Sequence, residues 1–418
     1  MKLPISFKLA VKNVFRNRIR TAITIAAISF GSISMILSGG FFEDTFLRMR
    51  ESVIHSRYGH LQLTVKGFKE KGSLAPFNYL ISNTEEVIQK IEALEHVKLV
   101  TPRISFFGML STGENTISVL CQGVDPEKEA RLSVIDSLEG GLSGLTIQSG
   151  RDLNKDDDFA AIIGRGLAKS TGSSERESVV LLTNTVEGGL NAFDIEIKGL
   201  FYTASKEFDD RALRVPIQTA QQLLRTDNVL SLVILLDKTR NTEMLEREIR
   251  HLVSEHKLNL EVTPWTELAD FYNKTVELYG RQFFVLQMII VVIVVLSIFN
   301  TINIAIWERT REIGTIMAMG YKQRYVLKMF LIEGVILGFI GGILGVLSGC
   351  AAAWIISIVG IPMPPPPGAT VGWTAMIKIV PGLLTSSFIL SVAAAILSSF
   401  YPAFKASRMV ITEALRHY

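Results

Sequence analysis

The chain is poor in the residues that carry most covalent and metal chemistry. Only two cysteines stand among its 418 residues, Cys121 and Cys350. The first lies in sequence of ordinary soluble composition and the second inside an apolar run, so no disulfide framework organises the fold. Six histidines are present, and the pairs His55/His60 and His251/His256 miss the spacing of a zinc site. The formal net charge is +3, too small and too localised for a nucleic-acid binder. The nearest approach to a phosphate loop is GRGLAKST at 164–171, where Ala168 stands in place of the glycine that must precede Lys169. Asp156, Asp157 and Asp158 read as an exposed turn rather than a cation site. No nucleophile elbow or Cys/His pairing occurs. The expectation is a non-catalytic chain with no cofactor and no metal of its own.

What the chain has in quantity is uncharged apolar sequence. Residues 21–42, 282–307 and 334–377 carry no charge at all. A helix rises 1.5 Å per residue, so about 20 apolar residues cross a bilayer core of about 30 Å. The runs yield four expected spans, at 21–42, 282–307, 329–357 and 379–402. A secretory signal is the rival reading of the first run, but its apolar region is about 7–15 residues, shorter than this one. Residues 1–20 carry Lys2, Lys8, Lys12, Arg16, Arg18 and Arg20 with no acid, and the 308–328 loop carries five basic residues against Glu308 and Glu312. The 358–378 loop holds only Lys378. By the positive-inside rule both termini and the 308–328 loop are cytoplasmic, and residues 43–281 lie outside.

Within 1–20, Lys8, Lys12, Arg16 and Arg20 form a basic stripe, while Phe7, Val11, Val14 and Phe15 form another face. This spacing predicts an amphipathic helix in the membrane interface. Residues 43–264 predict an α+β domain. Strand patterns run near 60–65, 97–111, 116–124, 159–163, 178–183, 192–200, 229–236 and 258–263, and helical patterns at 84–94, 217–225 and 241–256. Segment 131–225 is expected as an inserted subdomain. Residues 46–56 and 265–281 keep helical spacing next to a span and predict a two-helix stalk. The third span holds the small-xxx-small pairs Gly334/Gly338, Gly338/Gly342 and Gly345/Gly349, which predict close helix packing. Glu333, near the start of that span, is expected to pair with Lys328 or Arg311. MPPPPG at 363–368 predicts a stiff outer connector, and residues 403–418 a cytoplasmic tail.

These pieces resemble the MacB/LolC/FtsX permeases, the four-span membrane subunits of mechanotransmitting ABC transporters. LAVKNVFRNRIRTAIT (9–24) resembles the family's amino-terminal helix, and CQGVDP (121–126) with the 131–225 insertion resembles its periplasmic core. ERTREIGTIMAMG (308–320) followed by FLIEG (330–334) is the most specific signature. YPAFKASRMVITEALR (401–416) is similar to the terminal motif, except that Val410-Ile411-Thr412 stands where a proline is usual.

The resemblance implies a bacterial inner-membrane protein that dimerises with a second copy or a paralogue. It implies a partner ABC ATPase dimer carrying ATP and Mg, and contacts to it from Glu308, Arg309, Arg311 and Glu312, with Gly314 and Gly320 permitting close approach. The large outer domain and the 20 residues before the first span place the expectation nearest the LolC/LolE lipoprotein-releasing branch, with a periplasmic carrier. The alternatives are MacB-like efflux with an adaptor and FtsX-like signalling to a cell-wall hydrolase.

Overall fold

The computed structural model describes residues 5–72, 74–135, 144–203, 205–364, 372–411 and 414. Along the chain, α1 (Ile5–Val14) and α2 (Arg18–Val53) lead into a π-helical turn at Ile54–Tyr58. Then come β1 (Leu61–Val65), α3 (Phe68–Lys71), α4 (Thr84–Glu92), β2 (Val97–Ser111), β3 (Thr116–Val124) and α5 (Pro126–Ser133). Next are β4 (Leu145–Gly150), β5 (Ala160–Gly164), α6 (Arg165–Thr171), β6 (Ser178–Asn184), β7 (Leu190–Thr203) and α7 (Lys206–Asp209). β8 (Ala212–Pro216), α8 (Ile217–Leu224), β9 (Ser231–Leu236), α9 (Thr242–Glu255), β10 (Leu260–Pro264) and α10 (Trp265–Leu268) follow. The remainder is α11 (Asp270–Glu308), α12 (Thr310–Ala318), α13 (Gln323–Val359), β11 (Ile361–Met363), β12 (Trp373–Ala375) and α14 (Pro381–Ser407). Two compact units result, one of residues 1–46, 276–362 and 374–418, the other of 47–275 and 363–373.

The first unit contains the apolar lengths of α2, α11, α13 and α14, each long and apolar enough to cross a membrane. α13 lies between two neighbours and meets each through glycine. A Cβ on Gly338 would stand 2.7 Å from Ala395 Cβ, and one on Gly342 2.9 Å from Phe388 Cδ2, both on α14. Gly334 meets Ser399 of α14 in the same way. On the adjoining face, Gly341 faces Ile28, Gly345 faces Ser32 and Gly349 faces Ile36, all on α2, with would-be Cβ distances of 2.8, 2.5 and 2.9 Å. The expected small-residue motif therefore serves two seams, one per neighbour. α11 buries Val294, Ile298, Ile302 and Ile306, with Val294 Cγ2 2.5 Å from a would-be Cβ on Gly31 of α2. These residues are four apart and mark a single narrow stripe. The connector before α14 is fastened to α2, where the Lys378 amide donates to Gly40 O (3.2 Å) and the Met376 amide to Asp44 Oδ2 (3.2 Å).

Two expectations change in this unit. Val14, assigned to a lipid-facing stripe, is buried with Ala10 as α1 packs on α13, while Phe15 is exposed. Close packing of α1 on another helix supplies an apolar partner better than the interface does. α14 runs through Pro402 to Ser407 instead of ending at 401–402, because Pro402, Ala403 and Ala406 are buried against the bundle. Most of MPPPPG and the end of the tail (412–413 and 415–418) lie outside the described residues.

The second unit is built on one ten-stranded sheet in the order β10-β1-β9-β2-β3-β8-β5-β7-β4, with β6 pairing β2 and β7. Its two faces follow the period of two in each strand. On one face Val100, Ile104 and Phe106 of β2, Cys121 of β3, Leu213 of β8 and Ile234 of β9 form the main core, covered by α4, α6, α8 and α9. α9 contributes Leu245, Ile249 and Val253, and each such burial is worth about 1.5–3 kcal/mol. The opposite face carries two smaller apolar clusters. One gathers Ile54, Leu99, Leu132, Val233, Leu235, Trp265 and Ala269, the other Leu145, Ile162, Phe201 and Phe208. Segment 131–225 is not a separate subdomain: β8 pairs with β3, β6 with β2, and Ile163 and Leu181 share the main core. β8 escaped the sequence reading because a five-residue strand buried on both faces, ALRVP, shows no alternation; β4, LTIQSG, was also missed, being short and polar at its end.

Near the start of β1, His60 is 2% exposed, and its Nδ1 accepts from the Leu236 amide (3.1 Å). The proton therefore sits on Nε2, which donates to Thr239 Oγ1 (3.1 Å), and that hydroxyl donates to Glu51 Oε1 (2.9 Å). Burial, then His55 and Arg50, bring the His60 pKa down to about 3, with Asp237 acting in the opposite direction. A depressed histidine pKa gives stability that is complete above the unfolded value of 6.5 and is lost as pH falls toward 3. Between pH 7.5 and 5 the His60 contribution is expected to fall by about 2 kcal/mol. The check is unfolding stability of wild type minus a His60→Gln variant across that range; a difference that stays flat refutes it.

Candidate functional site

The most charged short segment between apolar helices is Glu308–Gly320, formed by the end of α11, the short α12 and its terminal turn. Arg309 breaks the helix, with φ −108° and ψ 13°, so α12 starts on a new axis. Gly320 ends the turn with φ +89°, a conformation in which L side chains are strained, while no heavy atom lies within 4 Å of its would-be Cβ. Conformation is thus what requires this glycine within the chain. Gly314 lies with Thr310 and Ile313 on the buried face of α12.

The charged residues divide into two sets. Arg309 is buried, donating from Nη1 to Glu333 Oε1 (2.9 Å) and from Nη2 to Asn13 O (3.0 Å). Asn13 Nδ2 donates to the same Glu333 oxygen (2.9 Å). The expected partner of Glu333, Lys328 or Arg311, is thereby corrected to Arg309. Lys328 lies five residues from Glu333 on the same helix, well over one turn away. Arg309, by contrast, reaches inward from the helix break. The same geometry removes Arg309 from the exposed face on which a partner was expected to meet it.

The other charges lie at the surface. Glu308 pairs with Arg20, and Arg16 Nη1 donates to Glu312 Oε1 (2.8 Å). Arg311 and Thr315 are exposed next to Glu312. Trp307, Met319 and Tyr321 are exposed large side chains at its two ends, and Tyr321 lies against Tyr325 with ring centroids 4.8 Å apart. The α11–α12 junction is therefore tied by Glu312 to Arg16 between α1 and α2, by Glu308 to Arg20 of α2, and by the buried Arg309 to Glu333 of α13. Sequence reasoning missed Asn13, Arg16 and Arg20 as members of this cluster. The four-residue basic stripe was the visible signal, but nothing local says that two of its members turn toward acids some 300 positions away.

Four membrane-crossing helices with a large α/β domain between the first and second define a membrane permease subunit. Residues 21–252 match the MacB-like periplasmic core domain, and residues 284–411 match the FtsX-like permease C-terminal domain. The chain belongs to this family of ABC transporter permeases.

Its relatives include the macrolide export ATP-binding/permease protein MacB of Acinetobacter baylyi, 24% identical over 85% of this chain and 52% of that protein. The lipoprotein-releasing system transmembrane protein LolC of Neisseria meningitidis is 21% identical over 80% of this chain and 77% of LolC. The ABC transporter permease YknZ of Bacillus subtilis is 23% identical over the full length of both. The chain thus spans about half of the MacB relative.

Proposed function

We propose that this chain converts ATP hydrolysis on a separate ABC ATPase dimer into motion of its extracytoplasmic domain, and that the work done is release of lipoproteins from the inner membrane. The observation that carries the reading is α12 itself. It exposes Arg311, Glu312 and Thr315, flanked by Met319 and Tyr321, while Glu312 also pairs with Arg16 and the adjoining Glu308 and Arg309 bond Arg20 of α2, Asn13 of α1 and Glu333 of α13. A force on so short an element reaches three helices through side chains instead of dissipating in a loop. In this reading Arg311 and Glu312 meet the ATPase, Glu308 edges the contact, and Arg309 and Gly314 carry displacement inward. ATP and Mg belong to the partner. The basic flanks support a cytoplasmic side for both termini and α12, and in this reading a second copy or paralogue completes a dimer.

The similarity to LolC, matched over 77% of its own length, supports the lipoprotein reading, with MacB-like efflux and FtsX-like signalling as the alternatives the test below distinguishes. Reversing the charge of exposed Arg311 and adding a negative one beside it, Arg311→Glu with Thr315→Glu, is expected to weaken ATPase association by about tenfold or more, roughly 1.4 kcal/mol. Membrane insertion is expected to be unchanged. Undiminished co-purification of the ATPase sinks the docking assignment. Proteoliposomes of the complex that hand no acylated protein to a soluble carrier sink the cargo.

A further inference from the structure

The end of α2 is seated in the sheet by charge. Its π-helical turn, Ile54–Tyr58, closes on Gly59, whose φ is +64° and whose would-be Cβ lies 2.5 Å from Val233 Cγ1. A helix end leaves its last carbonyls without intrahelical donors and carries partial negative charge. Here the donors come from the sheet. Arg214 of β8 donates from Nη2 to Ser56 O (2.8 Å), and Arg103 of β2 donates from Nη1 to Arg57 O. Glu129 of α5 holds both guanidinium groups, accepting from Arg103 Nε (2.6 Å) and Nη2 (2.7 Å) and from Arg214 Nη1 (3.4 Å). Gln122 of β3 accepts from Arg214 Nε (3.2 Å). The His55 ring donates from Nδ1 to Leu132 O (2.6 Å), tying the same turn to the end of α5.

These charges are 2% (Arg103), 2% (Arg214) and 4% (Glu129) exposed. Burial works against the Glu129 carboxylate, yet Arg103 and Arg214 hold its pKa below the ordinary range. Burial likewise brings Arg214 down to about 10. A buried ion triad is a poor way to gain stability, since apolar side chains of similar volume serve as well or better. What it supplies is direction: two planar donors fixed on adjacent regions of one sheet, each aimed at one carbonyl. The root of α11 shares the site, because Trp265 and Ala269 pack with Ile54, Leu99 and Val233 on the same face.

We propose that Arg103, Glu129 and Arg214 are positioning residues that form a joint, passing displacement of the end of α2 into strands β2, β3 and β8. The inference rests on the ATP-driven reading above. The test uses the full chain with its co-purified ATPase in lipid nanodiscs, comparing amide hydrogen exchange with ADP and with a non-hydrolysable ATP analogue. Wild type is expected to change exchange both at 54–58 and in β2 and β8. In the variant Arg103→Met/Glu129→Leu/Arg214→Met, which leaves no orphan charge, the change in β2 and β8 is expected to be lost while the unfolding midpoint and ATPase association are kept.

Should the triple variant not fold, Arg214→Gln leaves the Arg103–Glu129 pair intact and removes the grip on Ser56 together with the Arg214 bonds to Glu129 and Gln122, with loss of the β8 response expected. A wild-type-sized response in β2 and β8 of a folded variant overturns the joint alone. No nucleotide response anywhere in wild type, with the ATPase bound, overturns the underlying reading and the joint together.

Discussion

Truncating Arg309 to alanine is expected to cost the helical bundle about 3–5 kcal/mol, the usual penalty for breaking a buried ion pair from one side. Glu333 is 6% exposed and would keep only Asn13 as a partner, in a position where water is scarce. The Asn13 carbonyl would lose its donor as well, so α1 would loosen from α13 at the same point. Removing both charges with matched apolar volume, Arg309→Met with Glu333→Leu, is expected to recover most of the loss. Thermal unfolding of the purified chain in nanodiscs separates the cases. Equal destabilisation of the single and double variants sinks the account, because the cost would then be one of shape and not of an orphaned charge.

The second large effect is steric. Gly338→Leu is expected to destabilise the α13–α14 seam by about 1–3 kcal/mol or more, since an added side chain meets backbone and has no empty volume to enter. A Cβ alone would stand 2.7 Å from Ala395 Cβ, 3.1 Å from Val392 Cα and 3.4 Å from Ser391 O. Gly382→Ala is the control, because nothing lies within 4 Å of its would-be Cβ. The same unfolding measurement applies, and a Gly338→Leu variant as stable as the control rejects the packing assignment.

The elements legible in the sequence were those whose signal is local. Four apolar lengths, the alternating strands such as 97–111 and 116–124, and the i, i+4 faces of α4 and α9 could all be read from periodicity. The glycine pairs were visible too, but that Gly341, Gly345 and Gly349 meet α2 while Gly334, Gly338 and Gly342 meet α14 depends on which helices become neighbours. Arg309 shows the other limit. In sequence it is one of several charges in a polar segment, indistinguishable from Arg311. The helix break at its own φ and ψ turns one side chain inward and leaves the other outside. The triad of Arg103, Glu129 and Arg214 is harder still, since its members lie on three elements and each alone reads as a solvated charge.

The grip on the spans is unequal. α13 is clasped on two sides, its glycines taking in Ile28, Ser32 and Ile36 of α2 and Ala395 and Phe388 of α14. α11 is buried along one row of branched side chains, Val294, Ile298, Ile302 and Ile306, with Val294 seated at Gly31 of α2. That helix is pinned at its far end, where Glu308 pairs with Arg20, Arg309 with Glu333 and Glu312 with Arg16. A push at α12 is therefore shared with α2 and α13 before α11 can swing alone.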